Sequence, residues 1–370
     1  MKLKASIGTT LALLIVSTAF NVVPVFGPTQ YIKIGCVGPK GWIQWNGMWE
    51  GAQMARDAIN DAGGINIGGV SYKIQLVDID EHSVPIPNPA EAVTELLTKL
   101  NAHPDMQFLI GGFRTECVFE MREAAMDYAA VHGRPIWFIT GAADDDLTGD
   151  VRYDYDRYKY MFRVSPVNAT TLLNALVAFI RDYLLPEKLV PKYGSPVKTC
   201  IVAEDLTWCD GIRSALTWGG AEGPALGPQC QIVGSYRPSA TETNFTSIFE
   251  SIAAAEARLV VHIFSAVAGA AFIKQWVAQR RPFTCVGINV ESQLQEFYRV
   301  NVGLCEYEVL LASVGTRTPI IPGVTDKFWD DYQARWGHSP IYTAWGAHEA
   351  IMALAAVSYT HLTLPTNREV

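Results

Sequence analysis

The chain has 370 residues, of which 49% are hydrophobic and 18% are charged, and its formal net charge is −8. This length exceeds what one hydrophobic core comfortably supports and fits two lobes of ordinary domain size. The apolar content excludes a disordered chain. The acidic balance argues against nucleic acid or an anionic membrane surface as the main partner, because both need a basic face.

The N-terminal segment has the pattern of an export signal. Residues 1–4 are MKLK, and residues 7–26 then carry no charge. A short basic start before an apolar stretch is typical of a secretory signal, and a stretch of this length also suits an uncleaved anchor. We predict a signal peptide or N-terminal anchor at residues 1–27, and an exported protein that is periplasmic or extracellular.

The C-terminal segment has an unusual sequence. Residues 357–366 read VSYTHLTLPT and interrupt an amphipathic helical pattern without a capping residue. This segment resembles the translation of a common transposase-type sequencing adapter. We therefore predict that the native sequence ends near Ala356, that residues 357–370 are not native, and that the true C-terminus is missing.

The seven cysteines are an odd number for an exported chain. Cys209 and Cys230 are the better candidates for a disulfide if one exists, and the other five lie in or beside apolar runs as small buried hydrophobic residues. The sequence has no C-x-x-C motif and no Cys/His spacing of a metal site, so neither a metal nor a cofactor is predicted.

Short apolar runs alternate with amphipathic helical patterns in the first half of the chain. The strand-like runs lie at 31–37, 72–80, 106–112 and 135–140. The helical patterns between them lie at 48–61, 89–100 and 117–131. Strand, helix and strand repeated in this way predict a doubly wound parallel sheet.

The same alternation begins again after a charged, tyrosine-rich connector at 152–160. Strands are predicted at 161–166, 198–205, 230–236, 258–264 and 283–289. Helices are predicted at 168–185 and 269–280, and a segment at 308–314 precedes two more at 325–336 and 343–356. The second half is therefore predicted to be another α/β unit.

The loops that follow strands are the candidate binding site. In an open α/β sheet, ligands bind beyond the carboxyl ends of the strands, where the N–H groups of helix starts point. The loop after the first strand carries Trp42, Gln44 and Trp45 in a polar segment framed by glycines. The two tryptophans suit a stacking or lid role, or equally the anchoring of the loop on the core.

The loop after the third strand carries charged groups at a predicted helix start. Arg114, Thr115 and Glu116 lie where free backbone N–H groups and a hydroxyl can bind an anion. Arg114 and Glu116 suit the two ends of a zwitterion, or they pair with each other on the surface. The other candidates also follow strand ends: Gly141, Ala142, Asp144, Trp208, Ser265 and Asn289.

No enzymatic signature is present in the sequence. It lacks G-x-x-x-x-G-K-[ST], H-E-x-x-H and G-x-S-x-G motifs, so the chain is not predicted to be an enzyme. His262 lies inside an apolar strand and is predicted to be a core histidine. Four loop carboxylates are candidates for an acid–base pair, with no nucleophile beside them: Glu116, Asp144, Asp205 and Glu291.

Residues 32–80 resemble the N-terminus of the periplasmic-binding-protein type 1 superfamily, most closely the branched-chain amino-acid (Leu/Ile/Val) binding proteins of ABC importers. In that family a cleft loop precedes a helix ending I-N-x-x-G-G-I/V, which residues 59–65 match as INDAGGI. The segments LIGGFRTE, PIWFITGAA, YMFRVSP and DLTWCDG follow in the family's order, so the resemblance covers residues 31–356.

The resemblance implies two Rossmann-like lobes joined by a hinge of several crossings, with the ligand trapped as the lobes close. It places the N-lobe at 30–163, the C-lobe at 164–308 and a return to the N-lobe at 309–356.

The resemblance also implies roles for several candidate residues. Thr115 stands where a family hydroxyl binds the ligand carboxylate, and Gly141 and Ala142 stand where backbone groups bind the ammonium and carboxylate. Trp208 occupies the position of an aromatic wall, and Asn289 falls near the acidic partner of the ammonium.

Three positions depart from the family pattern. Asp144 replaces a threonine, Arg114 is charged where a small residue is common, and Ser265 replaces an aromatic residue. These changes favour a ligand more polar than a branched-chain amino acid, such as a polar amino acid, an amide or a small carboxylate.

The function implied is an extracytoplasmic solute-binding protein that captures a small polar solute by hinge closure and delivers it to the membrane permease of an ABC importer. One alternative is the ligand-binding ectodomain of a membrane-anchored sensor. Another is a hydrolase that uses the cleft carboxylates.

Overall fold

The computed structural model describes residues 29–165, 167–219, 225–294, 296–313 and 321–362. The predicted signal or anchor at 1–27 and residues 363–370 of the predicted tail lie outside these ranges. Within the described ranges, no helix combines the length and apolar character needed to cross a membrane.

A six-stranded sheet forms the centre of the first lobe. Its strands are β1 Gln30–Gly38, β2 Ile65–Ile67, β3 Val70–Asp80, β4 Met106–Gly111, β5 Ile136–Ile139 and β6 Met161–Arg163. Their spatial order is β2-β3-β1-β4-β5-β6, and all neighbours are parallel except the β2–β3 hairpin. β1 lies between β3 and β4 and is covered on both faces, which explains its nearly continuous apolar sequence.

A five-stranded parallel sheet forms the second lobe. Its strands are β7 Val197–Ala203, β8 Cys230–Tyr236, β9 Leu259–Phe264, β10 Thr284–Asn289 and β11 Val309–Leu310. The spatial order is β11-β10-β9-β7-β8. Every residue of β9 is buried, as expected for a central parallel strand with helices on both faces.

Helices cover both sheets. They are α1 Ile43–Asp61, α2 Pro89–Ala102, α3 Thr115–His132, α4 Asp146–Gly149, α5 Tyr155–Tyr158, α6 Ala169–Phe179, α7 Val190–Tyr193, α8 Thr207–Trp218, α9 Thr246–Ala254, α10 Val267–Ala278, α11 Phe297–Val300, α12 Thr325–Trp336 and α13 Tyr342–Leu362. A π-helical segment, Ile180–Leu189, joins α6 to α7 without a break and contains Pro186.

The last two helices pack on the first lobe. α13 lies so close to α1 that a Cβ on Gly51 would be 2.1 Å from the carbonyl oxygen of Ala344. The Tyr332 hydroxyl of α12 donates a hydrogen bond to the Glu50 carboxylate of α1. The first lobe is therefore assembled from two separate stretches of the chain.

The two-lobed α/β fold predicted from the sequence is confirmed, with four local corrections. α1 begins at Ile43 instead of residue 48. α13 does not stop at Ala356 but continues to Leu362. β11 pairs with β10, so residues 309–310 belong to the second sheet and the return begins after them. The suggested Cys209–Cys230 disulfide is absent, because both cysteines are free.

Candidate functional site

A cavity lies between the two lobes, beyond the carboxyl ends of strands from both sheets. Its volume, taken as the space open to the centre of a water molecule, is about 30 Å³. The lining residues are Phe113, Arg114, Gly141, Ala143, Val167, Leu172, Trp208, Ser265, Ile288, Val290, Gln293, Ser313 and Tyr342. Most of this wall is apolar, and Arg114 is the one basic side chain among the lining residues described.

The lobes are closed over this cavity by direct hydrogen bonds. Gln44 at the start of α1 donates from Nε2 to the backbone oxygen of Ser265 at 3.1 Å. Arg114 donates to the Ser265 hydroxyl at 3.3 Å. Glu116 accepts from the backbone N–H of Thr207 at 2.5 Å. Three predicted site residues of the first lobe therefore hold the second lobe in place.

Arg114 is the main polar group of the cavity and is only 1% exposed. Its NH1 nitrogen donates to the backbone oxygens of Ser83 at 2.6 Å and Pro85 at 2.7 Å. Its NH2 nitrogen makes the bond to Ser265, and its Nε–H has no partner among the described residues. A guanidinium held in this way keeps unused donors for a carboxylate ligand.

Two fully buried carboxyl groups accompany Arg114, one from each lobe. Glu81 follows β3 and accepts from the backbone N–H groups of Phe113 at 2.6 Å and Arg114 at 2.7 Å. Burial raises the pKa of Glu81 to about 7, and the nearby Arg114 charge and these donors oppose the rise. Sequence analysis did not single out Glu81, because its role depends on a turn that brings distant backbone to it.

Glu204 follows β7 in the second lobe. Its Oε1 accepts from the Trp208 indole N–H at 2.9 Å and from the Ser265 backbone N–H at 2.8 Å. Its Oε2 has no partner among the described residues. Burial raises the pKa of Glu204, and the charge of Arg114 across the cleft opposes this effect. Glu204 therefore fixes the Trp208 ring and the Ser265 loop that line the cavity.

The turn between β4 and α3 places Arg114 at the cavity. Gly111 and Gly112 have φ values of +106° and +94°, a region that favours glycine. A Cβ on Gly111 would be 2.2 Å from the carbonyl oxygen of Val37, so the turn also needs glycine for space. Thr115 begins α3 fully buried, its hydroxyl has no partner among the described residues, and it is not one of the lining residues.

The loop after β5 reaches the cavity through Gly141 and Ala143. The Ala142 carbonyl faces away and accepts from Arg163 NH1 at 2.6 Å. Asp144 does not line the cavity, because its carboxylate accepts from the Asp146 N–H at 2.9 Å in a local turn. The prediction that Asp144 meets the ligand is therefore not supported by its position, and burial raises its pKa.

The two tryptophans after β1 lie outside the cavity lining. Trp45 is 8% exposed, belongs to the first-lobe core, and stacks on Trp49 with ring centroids 5.1 Å apart. Trp42 is half-buried at the start of α1. Of the two roles considered, a stacking or lid role and anchoring on the core, Trp45 has the anchoring role. Because α1 begins before Trp45, this residue is helical and its ring packs into the core.

Asn289 belongs to a buried polar cluster of the second lobe instead of the cavity wall. Its Nδ2 donates to Glu308 Oε1 at 3.1 Å, which also lies 3.0 Å from Nε2 of the buried His262. The Ser292 hydroxyl donates to Glu308 Oε2 at 2.7 Å. The cluster ties the segment before β11 to the loop that carries Val290 and Gln293 into the cavity.

Several lining residues were missed by the sequence analysis. Phe113, Ala143 and Tyr342 of the first lobe pack in one apolar cluster with second-lobe residues. Phe113 stands immediately before the predicted Arg114 and could have been included on that ground. Tyr342 arrives from the start of α13 and gives no local signal. None of the four carboxylates considered for acid–base chemistry is among the described lining residues.

Comparisons with known proteins agree with this architecture. The solved structure of the branched-chain amino acid substrate-binding protein LivJ from Streptococcus pneumoniae is 19% identical, with a TM-score of 0.68 over 88% of this chain and 83% of that one. A leucine-, isoleucine-, valine-, threonine- and alanine-binding protein from Brucella ovis, in a closed conformation, is 16% identical, with a TM-score of 0.69 over 92% of this chain and 80% of that one.

A solute-binding protein of an ABC transporter from R. palustris, in complex with benzoate, is 17% identical, with a TM-score of 0.64 over 89% of this chain and 82% of that one. No curated protein sequence matched the chain. The sequence profile described as periplasmic binding protein matches residues 32–294, which is most of the chain. With the two lobes, the closed cleft and this match, the chain belongs to the periplasmic binding protein family.

Proposed function

We propose that this protein is the solute-binding component of an ABC importer and captures a small carboxylate with an apolar body. The ligand enters between the open lobes, and closure buries it before delivery to the membrane permease. The proposal narrows the polar ligand expected from the sequence, because the cavity wall is mostly apolar apart from Arg114 and a few neutral polar groups.

The observation that carries the proposal is the state of Arg114. A buried guanidinium whose Nε–H has no partner in the described part of the chain, set in an apolar wall, matches a carboxylate attached to a hydrocarbon group. Gln293 lines the same cavity, with both amide atoms buried and unpartnered among the described residues. Unsatisfied buried donors and acceptors in one cavity are the mark of a site that a ligand completes.

The ligands of structurally similar proteins are compatible with a carboxylate that has an apolar body. The S. pneumoniae protein was solved with isoleucine, and the R. palustris protein with benzoate. Both ligands combine a carboxylate with an apolar side. Asp144 and Asn289, the residues that would recognise a more polar ligand, are engaged elsewhere in this chain.

Thermal unfolding against matched ligands tests the proposal. Benzoate, isobutyrate and isoleucine would be compared with benzamide, isobutyramide, arginine and putrescine. A ligand at about 100 times its dissociation constant adds about 2.7 kcal/mol and raises the unfolding midpoint by about 5 °C. We expect such a rise with at least one apolar carboxylate. A rise with the cationic compounds alone, or with none of the seven, would contradict carboxylate capture.

The importer role needs a separate measurement. Cells that carry the gene and its permease are expected to take up the carboxylate that stabilises the protein, and deletion of either gene is expected to abolish that uptake. Unchanged uptake after both deletions would contradict the transport role while leaving ligand capture intact.

A further inference from the structure

The closed cleft holds an imbalance of buried charge. Arg114 supplies one positive charge, and it faces Glu81 of the first lobe and Glu204 of the second. All three side chains are at most 1% exposed. If both carboxyl groups are ionised, the closed site carries one net negative charge before any ligand enters.

A carboxylate ligand would raise this imbalance to two negative charges. Burying an uncompensated charge away from water is costly, and proteins usually neutralise such a group by protonation. The half-buried carboxylates Glu116 and Glu291 stand at the same cleft and add to the negative potential. Arg114 alone therefore cannot balance a closed, carboxylate-bound site.

Building on the function proposed above, we propose that lobe closure on a carboxylate ligand takes up one proton from solvent, and that Glu204 holds it. Closure buries Glu204 in the same site as the ligand carboxylate, so the need for the proton arises when the lobes meet. Glu204 is in this sense a charge-balancing residue that makes the affinity for carboxylates depend on pH.

The hydrogen bonds indicate Glu204 and not Glu81 as the proton site. Each oxygen of Glu81 accepts from a backbone N–H, an arrangement that favours the ionised form. Both bonds to Glu204 fall on Oε1, which leaves Oε2 buried without a partner among the described residues. A proton on Oε2 therefore breaks no existing hydrogen bond.

The other groups that face these carboxyls do not compete for the proton. Cys209 faces Glu204, and Cys117 and Tyr342 face Glu81. Burial raises the pKa of both thiols and of the phenol above their usual values, so all three stay neutral near pH 7. Burial also raises the pKa of Glu81 and Glu204, and the charge of Arg114 opposes the rise in both.

Calorimetric titration of the unmodified protein gives the first test. Benzoate and isobutyrate are titrated between pH 6 and 8.5, in phosphate and in Tris at matched pH, with benzamide and isobutyramide as neutral controls. We expect the carboxylates to lose about tenfold in affinity per pH unit at the alkaline end and to take up about one proton each. The neutral amides are expected to show neither effect.

Glu204→Gln provides the second test. The glutamine oxygen can accept both bonds now made to Oε1, and its NH2 group takes the place of the unpartnered Oε2. This variant is expected to bind benzoate or isobutyrate with pH-independent affinity and without proton uptake. Asp205→Asn is the control, because Asp205 is exposed and pairs with Arg237 outside the cavity. It should retain the proton uptake of the unmodified protein.

The outcomes separate the two proposals. If no carboxylate binds at any pH, the proposed function fails and this inference fails with it. If a carboxylate binds with an affinity that does not change with pH and with a binding enthalpy that is the same in both buffers, only the inference fails. Uptake that persists in Glu204→Gln would overturn the assignment to Glu204. If that variant does not fold, the titrations of the unmodified protein still decide whether a proton is taken up.

Discussion

Glu116 of the first lobe accepts a hydrogen bond from the backbone N–H of Thr207, the first residue of α8 in the second lobe. The carboxylate satisfies one of the free N–H groups at the helix start and lies at the positive end of the helix dipole. Because the two residues belong to different lobes, this bond is made in the closed protein and is lost when the lobes separate. Glu116 thus acts as a latch between the lobes.

Removal of the latch is expected to weaken ligand binding. Glu116→Ala should reduce affinity about fivefold, because a half-exposed charge at a helix start contributes about 1 kcal/mol. Isothermal titration with the stabilising carboxylate measures the effect. Glu120→Ala is the matched control, since Glu120 lies one turn further along α3 and is exposed. Equal losses in the two variants would contradict the latch.

Replacement of Arg114 tests the carboxylate partner. Arg114→Lys keeps the charge but cannot donate to Ser83, Pro85, Ser265 and a ligand together. We expect at least about a hundredfold loss in carboxylate affinity, equivalent to about 3 kcal/mol. The neutral amide should lose less. Arg237→Lys, which alters an ion pair with Asp205 and Asp210, should leave binding unchanged; a loss equal to that of Arg114→Lys would contradict the assignment.

The free energy of unfolding of the ligand-free protein is expected to fall as the pH rises, because of the buried carboxyl groups of Glu81 and Glu204. Their pKa values lie above the ordinary 4.5, at about 7 for Glu81. The folded protein keeps protons that the unfolded chain has lost, so their contribution is complete below about pH 4.5. It is lost as the pH rises above that value, through about 7 for Glu81. Urea unfolding at pH 5 and pH 8 should show a smaller decrease in the free energy of unfolding for Glu204→Gln than for the unmodified protein. Equal decreases would contradict this.

The two buried carboxyls should respond differently to the same substitution. Glu81→Gln must place an NH2 group against one backbone N–H, because each oxygen accepts from such a donor. Its free energy of unfolding is expected to fall by about 1–3 kcal/mol at pH 5. Glu204→Gln loses no hydrogen bond and should change it by less than about 0.5 kcal/mol at that pH. The prediction fails if the order of the two variants is reversed.

Two glycines within helices should respond in opposite directions to alanine. A Cβ on Gly51 would meet the Ala344 backbone of α13, so Gly51→Ala should cost at least about 2 kcal/mol. Gly211 of α8 is exposed with open space at the Cβ position, so Gly211→Ala should stabilise by about 0.5–1 kcal/mol. Chemical unfolding measures the free energy of unfolding of both variants. A Gly51→Ala variant more stable than the unmodified protein would contradict the close packing of α1 against α13.

The sequence is informative about the fold because parallel strands leave long apolar runs. The predicted strand at 230–236 matches β8, and the predicted helix at 325–336 matches α12. The start of α1 was missed because its N-cap is Trp42, which makes no side-chain capping bond. The helical spacing of Trp45 and Trp49 was the signal that could have corrected it.

The cavity-lining residues that lie in the loops and helix starts following strands were predictable. Arg114, Gly141, Trp208 and Ser265 line the cavity for this reason. Roles set by contacts distant in sequence were not predictable, as with Glu81, whose partners Phe113 and Arg114 lie more than 30 residues away.

The packing of α13 on α1 has a consequence for the order in which the lobes fold during synthesis. The second sheet is built from one continuous stretch of chain, whereas the first lobe needs helices separated by about 300 residues. The second lobe can therefore fold while the chain is still being made, but the first lobe must keep part of its apolar core uncovered until α13 emerges. Because Tyr342 also lines the cavity, the binding site is completed only after this residue has been synthesised.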